Sequence, residues 1–257
     1  MIQINSSVID GLVGTLRYTV EREGFSRVVL GMSGGIDSAL SCNLAVLAFG
    51  RENVFTYSMP YRLSSLSSRE DAAFMAEHLG VSLETVDITA MAEAYPDFAA
   101  LDAHRLGNVL ARLRMITLFD KSAEKNALVQ GTGNKTEILL GYSTWFGDTA
   151  CSVNPLGDMY KTQVYEASKL LGIPERLINK APSADLREGQ TDEGDFGHSY
   201  ADIDRFLDAY HEEKAGEAYL ISSFGRELVK DISGRMNRNH YKSKLPVIAG
   251  IGQRPID

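Results

Sequence analysis

The stretch Arg27-Val28-Val29-Leu30-Gly31-Met32-Ser33-Gly34-Gly35-Ile36-Asp37-Ser38 decides the fold. Its first half is a short β-branched run stopped by small residues, the pattern of a buried strand. A helix is predicted over about 37–49. Between the two, glycines let the backbone approach an anion and take conformations closed to other residues. The free N–H groups of the helix start point at that anion and carry partial positive charge. Gly31, Ser33, Gly34, Gly35 and Ser38 are therefore candidate phosphate contacts, with Ser33 and Ser38 adding hydroxyl donors. A carboxylate facing phosphate would be repelled, so Asp37 reads as the holder of a Mg²⁺ that bridges to phosphate oxygens. The stretch is neither the GxxxxGK[ST] loop nor the GxGxxG fingerprint. The plainer alternative is a tight strand-to-helix turn with glycine for packing.

Working outward, residues 8–20 place apolar side chains at helical spacing. A strand is predicted over 53–58, a helix over 67–79 capped by Ser68, and a strand over 81–86. The order β-α-β-α-β with short connections implies parallel strands and crossover helices. A long helix over 105–123, a strand over 127–131 and a helix from 134 to 140 continue the pattern. Beyond 160 the chain reads as mostly helical, over about 160–171, 174–179, 200–211, 215–222 and 224–236. The expected fold is α/β, with a doubly wound, mostly parallel sheet carrying helices on both faces, in a single domain over 1–257. Residues 181–199 are dense in Gly, Asp and Ser and read as a long loop, a form more often functional than idle. The segment from 245 reads as a loose tail.

The chain has 257 residues, 44% of them hydrophobic, and a net charge of −8. Bulk charge of that sign argues against a nucleic-acid partner. Cys42 and Cys151 have neither disulfide-framework nor zinc spacing and read as idle thiols of a reducing cytoplasm. No signal peptide and no apolar span long enough for a bilayer is present, so no membrane is expected.

The SGGxDS loop resembles the pyrophosphate loop of the N-type ATP pyrophosphatases, which split ATP between its α and β phosphates. Four later stretches narrow the resemblance to the NAD synthetase family. They are Gly107-Asn108-Val109-Leu110-Ala111-Arg112-Leu113-Arg114-Met115; Gly131-Thr132-Gly133-Asn134-Lys135-Thr136-Glu137 with Gly141-Tyr142-Ser143-Thr144-Trp145-Phe146-Gly147-Asp148; Asn154-Pro155-Leu156-Gly157-Asp158-Met159-Tyr160-Lys161-Thr162-Gln163-Val164; and Pro182-Ser183-Ala184-Asp185-Leu186 with Gly189-Gln190-Thr191-Asp192-Glu193. Order and spacing match over about 25–245. The resemblance implies a ligase that adenylates deamido-NAD with ATP as co-substrate and then amidates it. It implies Asp37 and Glu137 as Mg²⁺ ligands; Thr132, Lys161 and Ser183 as ATP contacts; and Arg112, Asp148 and Lys242 as deamido-NAD contacts. Asp37 and Lys161 would be the catalytic pair. Read from the residues alone, Glu137 three positions after Asn134 is also a helix cap. Arg112 is also a solvated helix charge, and Lys161 a surface lysine. Trp145 reads as packing, and His104 and His198 as structure.

Two forms exist in the family. With the loop beginning at residue 31, no glutaminase domain is expected, and ammonia is the expected nitrogen donor. Met59-Pro60-Tyr61-Arg62-Leu63-Ser64-Ser65, with Ser68 and Asp71, resembles the long, glutaminase-bearing form. The short form often has Lys and Asp where Trp145 and Ser152 stand, and His-Lys where Tyr241-Lys242 stands. Those departures leave room for a separate glutaminase partner. Another ATP pyrophosphatase with a different acceptor is the competing reading. Family members imply a homodimer, for which the 105–123 and N-terminal helices are candidates.

Overall fold

Val28, Val29 and Leu30 are all buried without remainder. That is why they form an uninterrupted apolar run: a central parallel strand is covered on both faces and has no solvent side to alternate with. The computed structural model describes residues 1–183 and 190–246. Asp185-Leu186, the middle of the predicted 181–199 loop, and the predicted tail beyond 246 lie outside the described residues.

The strands are β1 (Val28–Gly31), β2 (Val54–Ser58), β3 (Ser82–Thr85) and β4 (Leu128–Val129). They pair in the order β3-β2-β1-β4, and every pairing is parallel. The helices among the described residues are α1 (Ser6–Arg22), α2 (Ile36–Phe49), α3 (Leu66–Leu79), α4 (Thr89–Glu93), α5 (Ala103–Lys125), α6 (Lys135–Leu140), α7 (Lys161–Leu170), α8 (Glu175–Ile178), α9 (Asp192–Phe196), α10 (Tyr200–His211), α11 (Glu217–Phe224) and α12 (Arg226–Asn239). The doubly wound arrangement expected from the sequence is the one observed.

Side chains leave β1 alternately to its two faces. Val28 and Leu30 pack with Leu16 and Val20 of α1, Leu40 and Leu44 of α2, Met75 of α3 and Val164 of α7. Val29 packs on the other face with Tyr57, Ile88 and Leu110. A third core lies mainly among helices. Ile203, Phe206 and Leu207 of α10, at i, i+3 and i+4, close over Leu140, Leu220 and Ile232. Each such side chain contributes about 1.5–3 kcal/mol of burial. Cys42 and Cys151 are free thiols, and burial pushes Cys42 up to about 12, which keeps it unreactive. Among the described residues no helix is long and apolar enough to cross a membrane.

Some local expectations change. The cap of α3 is Ser65, whose side chain accepts from the backbone of Ser68; Ser68 itself is inside the helix. The fourth strand is shorter than predicted, and its edge is extended by a parallel bridge between Gln130 and Val153 that no local pattern announces. Within 181–199, Thr191 caps the short helix α9.

The strand order carries the functional consequence. From β1 the chain moves to β2 on one side, and β4 lies on the other. The crevice beyond the carboxyl ends of β1 and β4 is the topological switch point, where open α/β sheets bind ligands.

Candidate active site

The loop after β1 is held by its own serines. Ser38 Oγ donates to Gly35 O at 2.9 Å and accepts from Ser33 N at 3.2 Å, while Ser33 Oγ accepts from Gly35 N at 3.3 Å. Gly34 has φ +79°, and a Cβ there would lie 2.2 Å from Ser68 O. Only glycine fits that contact and that conformation. Gly35 is the N-cap of α2 and makes no side-chain cap bond, so the first N–H groups of the helix remain directed at the crevice. Gly31 sits behind them at the end of β1.

Across the switch point, the loop after β4 carries Thr132, half-buried, and Asn134, fully buried. Asn134 ties the two halves together. Its Nδ2 donates to Asp37 Oδ1 at 2.9 Å, its Oδ1 accepts from Glu137 N at 3.0 Å, and its backbone N donates to Glu137 Oε2 at 3.2 Å. The last two bonds are a capping box at the start of α6. Sequence reasoning offered Glu137 as cap or as metal ligand; the cap leaves Oε1 facing the centre, so one role does not exclude the other.

Lys161 completes the group. Its Nζ lies 2.5 Å from Asp37 Oδ2 and 3.4 Å from Glu137 Oε1, and its side chain is 1% exposed against 19% for each carboxylate. The surface-lysine reading fails. Lys161 begins α7, and its backbone N donates to Thr136 Oγ1 at 2.9 Å. Thr136 in turn donates to the buried Asp204 at 2.6 Å, which also accepts from Thr162 N at 2.7 Å. The Tyr200 ring lies 5.3 Å from the Lys161 ammonium. Its hydroxyl donates to Asp192 Oδ2 at 2.8 Å, and the buried Asp192 Oδ1 has no hydrogen-bond partner among the described residues. Asn134, Thr136, Tyr200 and Asp204 were not singled out for the site from sequence. Asn134 could have been, since an Asn-x-x-Glu pair after a strand is a cap signature.

Two carboxylates share one ammonium, so the centre is short of positive charge. Burial raises the Glu137 carboxyl most; Lys161 pulls it back and Asp37 pushes it up again, leaving it near neutrality, at about 8. Burial lowers Lys161, but Asp37 and Glu137 outweigh that and hold the ammonium charged. The donor set fits Mg²⁺. Among the described residues no three His, Cys, Asp or Glu converge as a metal cage. Mg²⁺ needs none, since it takes one or two carboxylates plus phosphate oxygens and water.

Arg112, Asp148 and Lys242 form a second group around residues 141–148. Arg112 Nη2 donates to Trp145 O at 3.0 Å, and Asp148 Oδ1 accepts from Thr144 N at 2.7 Å. Lys242 Nζ donates to Gly141 O and Ser143 O, each at 2.9 Å. Trp145 stacks on Phe146, centroids 4.3 Å apart, and meets Tyr241 edge-on at 5.3 Å. Ser183 is exposed and is the last of the described residues 1–183. His104 and His198 lie outside both groups, the one beside Asn108 and the other beside Asp231.

A parallel sheet with an anion loop and paired carboxylates at its switch point defines a nucleotide-binding α/β enzyme. The comparisons make that specific. The chain belongs to the NAD synthase family, whose model matches residues 8–246. It is 48% identical over 242 residues to the NH(3)-dependent NAD(+) synthetase of Fusobacterium nucleatum, covering 93% of this chain and 94% of that protein. Among solved structures it resembles the NMN synthetase from Francisella tularensis (TM-score 0.86, 31% identity, 97% of this chain, 100% of that one). It also resembles the NH3-dependent NAD synthetase from Campylobacter jejuni (TM-score 0.82, 32% identity, 96% of this chain, 100% of that one).

Proposed function

We propose that this chain adenylates the nicotinate carboxylate of deamido-NAD with ATP, releases pyrophosphate, and forms the amide with ammonia to give NAD and AMP. The observation that carries the reading is Lys161 clamped between Asp37 and Glu137, beside a glycine loop at the start of α2 that can receive a phosphate chain.

A carboxylate is a poor acyl donor, because its leaving group would be oxide. In the first step its oxygen attacks the α phosphorus, the α–β bridging P–O bond breaks, and pyrophosphate leaves. In the second, ammonia attacks the carbonyl carbon, the C–O bond to AMP breaks, and the nitrogen sheds a proton. The loop amides with Ser33 and Ser38 hold the leaving phosphates. Lys161, with Thr132 and Ser183 as polar contacts, neutralises charge that builds on the α phosphate. Asp37 and Glu137 would hold Mg²⁺, which when bound draws phosphate charge onto itself. Arg112, with its planar fork, takes the pyrophosphate of the dinucleotide, and Asp148 and Lys242 shape the same subsite. Exposed Ile116 and Phe119, three residues apart on α5, support a homodimer through that helix. The setting is the cytoplasm.

The test supplies ATP, Mg²⁺, ammonium and deamido-NAD and follows pyrophosphate and NAD together. Stoichiometric NAD and pyrophosphate are expected. Parallel arms replace ammonium by glutamine and deamido-NAD by nicotinate mononucleotide, and both are expected to be poor. No NAD from an ATP-binding protein overturns the reading.

A further inference from the structure

A second charged group stands on the other side of the glycine loop, where the function so far assigns nothing. Gly34 is wedged against α3, and just beyond that contact lies Asp71, its side chain 5% exposed. Asp71 takes two cations: Arg176 Nε at 2.5 Å and Lys180 Nζ at 2.7 Å. Lys180 Nζ also reaches Ser68 Oγ at 3.2 Å and the carbonyl of Gly34 at 3.3 Å. Arg176 has a further partner in Glu70 at 3.8 Å, but that carboxylate is 60% exposed and water screens it.

Arg176 takes Asp71 Oδ1 and Lys180 takes Oδ2, so each cation holds one oxygen of the buried carboxylate, and the Lys180 ammonium is at the same time lodged on the loop itself. The loop thus lies between two unlike centres. On the α2 and α6 side, one cation, Lys161, lies between two carboxyl groups. On the α3 side, two cations lie on one buried carboxylate, with the exposed Glu70 a further partner of Arg176. When the α–β bond of a nucleoside triphosphate breaks, charge builds on the departing pyrophosphate. A fixed cation on the leaving side stabilises that charge only as it develops. Lys180 is suited to this. Its side chain is 28% exposed, on a flexible four-carbon stem, so its ammonium can turn from a carbonyl to a phosphate oxygen without dragging backbone.

We infer that Lys180 is a binding residue for the leaving pyrophosphate, its ammonium leaving the Gly34 carbonyl for a non-bridging phosphate oxygen, with Asp71 and Arg176 holding it in reach. No proton is transferred. The inference rests on the ATP-splitting reading above and deepens it.

The experiment titrates magnesium pyrophosphate, and separately AMP, into the full chain by calorimetry, for wild type, Lys180→Met, Lys180→Arg and the double variant Asp71→Asn with Lys180→Met. Loss of a charge-assisted hydrogen bond predicts pyrophosphate affinity lower by about ten- to a hundred-fold in Lys180→Met, partly restored by arginine. AMP affinity stays unchanged, while the melting temperature falls in Lys180→Met, where Asp71 Oδ2 loses its partner. The double variant removes the buried charge that Lys180→Met leaves with one partner, so it keeps the test intact if the single variant fails to fold. Pyrophosphate affinity within twofold of wild type, in a folded variant of a protein that makes NAD, overturns the role of Lys180 alone. A wild type that makes no NAD overturns the reading beneath it.

Discussion

Glu137→Gln isolates the charge state of the candidate centre. The unfolded carboxyl titrates at 4.5, and the folded one is raised to about 8. Between those values the folded state holds a proton that the unfolded state has lost. The stability Glu137 contributes is therefore complete below about 4.5 and lost as the pH climbs through about 8. At about 1.4 kcal/mol per pH unit, the interval sets a ceiling of about 5 kcal/mol. Glu137 is 19% exposed, and the water that reaches it relieves part of this, so about 2–3 kcal/mol is expected. Glutamine cannot ionise, yet at the third helical position it still accepts the Asn134 backbone N–H. Urea unfolding of wild type and variant at pH 5, 6, 7, 8 and 8.5, without metal or nucleotide, gives the difference between them and cancels the other titrating groups. The wild type should lose stability relative to the variant across that range. Repeated with magnesium and ATP, a cation takes the place of the proton, and the wild type should gain most at pH 8. A difference flat with pH, or rising in favour of the wild type, refutes the argument, because Glu137 would then be ionised throughout.

Asp37→Asn leaves Lys161 and Glu137 balanced, so melting should change little, while pyrophosphate release in the presence of acceptor should fall by about 10²–10³-fold; unfolding without that selectivity makes Asp37 structural. Gly34→Ala puts a methyl 2.2 Å from Ser68 O at φ +79° and should cost more than about 2 kcal/mol in a denaturation curve, with ATP binding lost as well. Arg112→Ala should raise KM for the dinucleotide about tenfold or more and leave KM for ATP alone. If both rise together, Arg112 serves only to hold the Trp145 carbonyl.

Much of the fold was legible because β1 is buried on both faces and therefore written as an apolar run stopped by glycine, and β2 as a short run rich in β-branched and aromatic residues. The pairing of Gln130 with Val153 was not, since it depends on a return of the chain after residues 141–148 that no local pattern encodes. The cap of α3 was misplaced because Ser64, Ser65, Ser67 and Ser68 offer equal hydroxyls, and only backbone geometry selects Ser65. At the site, Asp37, Glu137 and Lys161 could be named because each follows a strand or opens a helix in a recognisable stretch. Their meeting was a matter of topology: Lys161 is 124 residues from Asp37. The Asp71–Lys180 pair spans 109 residues; Asp71 belongs to the stretch that resembles the long form, but nothing in that stretch points to Lys180, and only the fold brings the two together.

The short helix α6 has a consequence for the geometry of the proposed chemistry. Glu137 lies in its first turn, and its carboxyl end delivers Gly141, the start of the segment that Arg112, Asp148 and Lys242 grip. Six helical residues measure about 9 Å and contain no joint. Thr136 and Leu140, both without exposure, pin the helix at either end. It works as a ruler: on the roles proposed above, the separation between Glu137 and the turn at 141–148 is cut to one length, and an acceptor seated at that turn would be presented at a fixed range from the phosphate it must attack.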